Sequence, residues 1–146
     1  MSAARTLRRL AHDEVGSMIV EFAILGPALI MMLLGVLQTG IAMQNYNALR
    51  NISADVARYA MVQRQGGNNL SNSQLRNYAV SKAQSLPYLL NRARVNAKVV
   101  PATTQRVAGV NELTVTVTYQ IDSLLEFAGI QGPFITHTRP IFLITS

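Results

Sequence analysis

Glu21 is the residue that first calls for a chemical explanation. It stands four residues into an apolar run that begins at Met18, five residues after Gly16, and from Phe22 to Leu37 no polar side chain follows it. An isolated carboxylate in hydrocarbon is costly, and such groups are usually paired with a cation or held at the lipid–water boundary. Glu21 therefore either neutralises a cation brought to it or lies at headgroup level and snorkels to water. The other chemistry-bearing residue types are sparse. The two histidines, His12 and His137, are 125 residues apart, and there is no cysteine. Disulfides and thiolate chemistry are thereby excluded. No glycine-rich phosphate loop, zinc-type spacing or Ser/His/Asp set occurs. No catalytic residue, metal site or cofactor is expected, and the chain does not read as an enzyme. Arg92, Arg94 and Lys98 form the one tight basic group, a candidate contact for a polyanion.

The charge is otherwise scattered. From Gln44 onward ten Lys or Arg face four acids, which accounts for the whole net charge of +6. A dispersed basic surface gives solubility and loose attraction to polyanions. No recognition motif accompanies it, so no specific nucleic acid is expected.

Four segments must position these residues. Residues 1–16 form a short polar leader with Arg5, Arg8 and Arg9. Residues 17–43 form a transmembrane helix. Its run from Met18 to Met43 would measure roughly 39 Å as a helix, more than the ~30 Å hydrocarbon core. Three arginines before the run against Arg50 and Arg58 after it favour a cytoplasmic N-terminus. Residues 44–65 continue the helix as a stalk. Leu49, Ile52, Val56 and Tyr59 make one apolar stripe, which packs on the chain's own domain or on another subunit. Gly66-Gly67-Asn68-Asn69 breaks it.

Residues 66–146 form the extracytoplasmic domain. Ser71-Asn72-Ser73 offers an N-cap for a second helix running to about Ser85, with Leu75, Tyr78, Ala79, Lys82 and Leu86 on its face. Residues 95–100 read as a strand ending at Pro101. Ala108-Gly109-Val110-Asn111 reads as a turn, and 112–121 alternates cleanly as a second strand. The stretch 122–133 reads as a loop with a helical turn. The last run is a third strand, placed at an edge by Pro140. The expected fold is α+β: a long helix, a short helix, then about three antiparallel strands.

Gly16, Glu21 and the apolar helix behind them resemble the prepilin pattern. The resemblance narrows over "GSMIVEFAILGPALIMMLLGVLQTGIAMQNYNALRNISADVARYAM", which is similar to the TadE-like family, the minor pseudopilins of tight-adherence (Flp-type) pili. Val20-Glu21-Phe22, Pro27, Gly35, Gly40 and the stretch Ala54–Ala60 carry the match. It implies that prepilin peptidase cuts between Gly16 and Ser17. It implies that Glu21 sets subunit register by pairing with a neighbour's new N-terminal amine, and that Phe22, Pro27 and Gly35 pack the helix in a filament. Implied partners are the peptidase, other pilin or pseudopilin subunits, the inner-membrane assembly platform and membrane lipid. The implied location is the bacterial inner membrane, single-pass, with the C-terminal domain periplasmic and the subunit able to enter a pilus.

Three other readings stay open. A secretory signal peptide could end at Gly40-Ile41-Ala42, although its apolar stretch is too long and Asp13 and Glu14 spoil the basic leader. The chain could be an uncleaved single-pass scaffold of a pilus or secretion machine. It could also be a tip adhesin or DNA-binding minor pilin using Arg92, Arg94 and Lys98.

Overall fold

The computed structural model describes residues 14–144, with side chains from Met18 onward. His12 and most of the expected leader, residues 1–16, lie outside the described residues. Helix α1 runs without a break from Glu14 to Gln65, with Pro27 inside it. Its end is set locally. Gly67 takes a left-handed φ of 79°, Asn68 N–H donates to Gln63 O at 2.9 Å, and Gly67 N–H donates to Arg64 O at 3.1 Å. These two bonds close a Schellman motif, in which glycine carries the reversed turn without a Cβ penalty. Helix α2 spans Asn72–Gln84. Ser71 caps it in a capping box: its hydroxyl accepts from Gln74 N–H, and Gln74 Oε1 accepts from Ser71 N–H at 2.8 Å.

Three antiparallel strands follow in the order β1 (Val95–Pro101), β2 (Val110–Gln120) and β3 (Phe134–Ile144), with β2 central. The fold is α+β, with both helices on one face of the sheet. Alternation decides the faces. Leu113, Val115, Val117 and Tyr119 of β2 are buried beneath the helices, beside Ala97 and Val99 of β1 and Ile141 of β3. The outward face carries threonines, with cross-strand hydroxyl contacts Thr116–Thr138 at 3.2 Å and Thr118–Thr136 at 3.1 Å. β3 is an edge strand, where the missing N–H of Pro140 breaks no central ladder.

The expected stripe on α1 faces inward. Leu49, Ile52 and Val56 are fully buried and Tyr59 is half-buried, stacked on Tyr78 of α2 with ring centroids 4.0 Å apart. Burying each aliphatic side chain contributes about 1.5–3 kcal/mol relative to exposure. The second half of α1 is thus part of the domain core. Two local expectations are corrected. Val110 and Asn111 already pair as strand residues with Ile144 and Leu143, so the turn before β2 is confined to the residues before them. Leu86 does not extend the apolar face of α2. It lies beyond the helix end and is 75% exposed, while Ala83 and Leu90 supply the burial.

Candidate functional site

α1 divides into two halves with opposite surroundings. From Leu49 onward it buries a stripe. From Met18 to Leu37 its apolar side chains are turned outward around the whole circumference, Phe22 at 76% exposure among them. A helix that is apolar all round is stable only inside lipid or against other helices. Its polar groups are few and local. Thr39 Oγ1 donates back to Gly35 O at 3.0 Å, which satisfies the hydroxyl within the helix. Among the described residues this is the one helix long and apolar enough to cross a membrane, and it suggests single-pass membrane anchoring.

Of the residues expected to serve assembly, Glu21, Phe22, Pro27 and Gly35 lie on this outward half. Gly16 and Ser17 have helical backbone, and Glu21 and Phe22 are exposed on the following turns. Pro27 is exposed within the unbroken helix, and a Cβ on Gly35 or Gly40 would meet open space. The small residues therefore leave shallow gaps in the helix surface rather than contacts with the chain's own domain.

The basic group is divided between a turn and a strand. Arg92 and Arg94 lie on a 3-10 turn, Arg92–Arg94, capped by the Asn91 side chain. Arg94 Nη1 is 2.7 Å from Asp122 Oδ1. Arg92 lines a shallow groove with Arg76 and Gln84 of α2. Lys98 is exposed on the outward sheet face, opposite Thr116.

Three polar sites inside the domain escaped the sequence reading. Ser53, fully buried on α1, donates to Leu49 O at 2.7 Å, and its oxygen lies 3.1 Å from His137 Nδ1 on β3. The hydroxyl hydrogen is used, so His137 donates from Nδ1. Tyr46 meets the imidazole edge-on, with centroids 5.8 Å apart. Burial, with Arg139 and Arg50 nearby, holds the His137 pKa below its ordinary value. Glu112 is buried at the start of β2 and is held by Arg106, whose backbone N–H donates at 3.2 Å and whose Nε donates at 2.8 Å. Those bonds keep its carboxyl below the usual range, against the opposing effect of burial. Tyr88 donates to Asp55 Oδ2 at 3.2 Å, and burial beside that carboxylate raises the phenol's pKa. Each group is held by the neighbours just named. Among the described residues no group of three or more His, Cys, Asp or Glu could hold a metal ion.

The joint between membrane-length helix and domain was equally invisible in sequence. Gln38 closes it. Its Nε2 donates to Asp122 O at 3.0 Å, and its Oε1 accepts from Leu124 N–H at 2.8 Å. The partners are 84 and 86 residues away.

A family model described as TadE-like protein matches residues 16–58. That segment is similar to TadE-like proteins. The matched stretch begins at Gly16, takes in the whole outward apolar half of α1, and ends within the buried stripe. No curated protein and no solved structure matches the chain. The match suggests a protein associated with tight-adherence pili and, in general, with other pilus components.

Proposed function

We propose that the protein is a minor pilin or pseudopilin of a tight-adherence pilus, acting in pilus initiation, capping or assembly. The TadE-like match over residues 16–58 carries this reading, because it starts at the glycine that precedes Glu21 by five residues. The chain is inserted in the inner membrane with its N-terminus cytoplasmic and its domain periplasmic. Prepilin peptidase cuts after Gly16, where the absence of a side chain suits a tight subsite. The new amine at Ser17 then lies near the membrane. In the filament Glu21 pairs with a neighbour's amine and so sets subunit register. Phe22, Pro27 and Gly35 pack the helices, and subunits enter through the inner-membrane platform.

The hold of Gln38 on the domain favours this over a secretory signal cut at Gly40-Ile41-Ala42. Such a cut would discard Gln38 and both of its hydrogen bonds. The deciding experiment is intact mass and N-terminal sequencing of the membrane-extracted protein. A chain starting at Ser17 is expected. A start at Met1 or Ser2 overturns processing and leaves an uncleaved scaffold, and a start at Met43 restores the signal peptide. Glu21→Ala should still be cleaved yet fail to enter sheared pili. Normal incorporation of that variant would remove the register role.

A further inference from the structure

The loop that joins β2 to β3 is closed on itself. It is pinched at its base by Ile121 N–H donating to Pro133 O at 3.1 Å. A Cβ on Gly132 would overlap the Ile121 carbonyl, so only glycine permits the two ends to approach this closely. Inside the loop, Ala128 N–H donates to Leu125 O at 3.0 Å and Ile130 N–H to the same carbonyl at 3.2 Å. Glu126–Ala128 forms a 3-10 turn closed by Gly129 at φ 77°. Such a loop is preformed, with its ends together. Yet it presents apolar side chains to the outside: Leu124 is 38% exposed, Phe127 74%, Ile130 50%, and Phe134 at the loop's end 69%.

Its position explains the exposure. The two bonds from Gln38 fix the loop at the level of that residue on α1. Gln38 lies 20 residues beyond Met18, about 30 Å along a helix and equal to the thickness of the hydrocarbon core. We infer that this loop dips into the periplasmic leaflet beside its own membrane helix, with Phe127, Ile130 and Phe134 at the headgroup–acyl boundary. The inference rests on the reading of α1 as a membrane span. The chemistry is that of an interfacial anchor, in which apolar and aromatic groups enter the boundary while polar backbone is satisfied within the loop. Charge contributes little. Asp122 is engaged by Arg94, and residues 121–134 carry no Lys or Arg that would select anionic lipid. The contact should therefore form with zwitterionic lipid. Its effect is orientational: one helix alone leaves the domain free to swing about the membrane normal, and a second lipid contact removes that freedom before assembly.

The chain has no tryptophan, so a single introduced indole reports alone. Phe127→Trp and, separately, Leu29→Trp in the full chain are reconstituted in phosphatidylcholine vesicles brominated either near the glycerol end or near the methyl end of the acyl chains. The expected result is that glycerol-end bromines quench the indole of the Phe127→Trp variant and methyl-end bromines quench that of the Leu29→Trp variant. Quenching in Leu29→Trp without any in Phe127→Trp overturns the loop contact and leaves the span standing. No quenching in either variant overturns the span itself, and the loop contact with it. A Phe127→Trp signal shielded from both lipids, and shifted to the blue only as protein concentration rises, assigns the loop to a second copy of the chain and refutes the lipid contact.

Discussion

Replacing Gln38 with alanine should release the β2–β3 loop without unfolding the domain. The substitution removes a donor to Asp122 O and an acceptor from Leu124 N–H. Each hydrogen bond contributes about 0.5–1.5 kcal/mol net, so the pair contributes about 1–3 kcal/mol to holding the loop down. The helix itself gains a few tenths of a kcal/mol from alanine, which opposes the loss only globally. At about 1.4 kcal/mol per decade, amide exchange at Leu124 should accelerate about 5- to 150-fold. Hydrogen exchange on the full chain in detergent micelles reads this directly, with the core amide of Val117 as an internal control. Gln38→Glu should fall between wild type and alanine, since it keeps an oxygen for Leu124 but loses the donor to Asp122. Unchanged exchange at Leu124 in the alanine variant would refute the claim that Gln38 couples helix and loop.

Gly132→Ala should open the same loop by a steric route. The added Cβ must displace the Ile121 backbone, and exchange at Ile121 and Leu124 should rise together. Ile52→Ala leaves a void in a fully buried position and should cost about 2–5 kcal/mol in chemical denaturation followed by circular dichroism. Lys98→Ala, exposed on the outward face, should stay within about 0.5 kcal/mol in the same assay. Stability should also fall as pH drops below the ordinary histidine value of 6.5. His137 is held low in the folded state, so the unfolded chain takes up its proton first. The contribution is full above the unfolded pKa and is lost as pH falls toward the depressed folded pKa. His137→Gln should flatten that window while leaving the more acidic loss due to Glu112, whose carboxyl is also held low. A denaturation midpoint independent of pH near neutrality in wild type would count against the half-buried Ser53–His137 contact.

The local elements were legible because each is fixed by neighbours in sequence. The 3-4-3 spacing of Leu49, Ile52, Val56 and Tyr59 names a buried helix face. Gly66-Gly67 names its end, Ser71-Asn72-Ser73 the next beginning, and the alternation from Leu113 to Tyr119 a strand with one covered side. Gly16, Glu21 and the apolar run behind them marked the segment that matches the TadE-like model. What tertiary structure alone decided are the contacts between residues far apart. Glu112, Ser53 and His137 look like ordinary surface or strand residues until packing buries Glu112 beside Arg106 and Ser53 against the half-buried His137. Arg92, Arg94 and Lys98 are neighbours in sequence, yet a turn and the strand pleat turn them toward different surroundings. The apolar residues of 122–133 read as a plain loop until Gln38 fixes their height on the helix. Periodicity sums over adjacent residues and so reports which face is buried. It carries no information on how far one element slides along another, and that docking depth is what brings Gln38 to Leu124 across 86 residues.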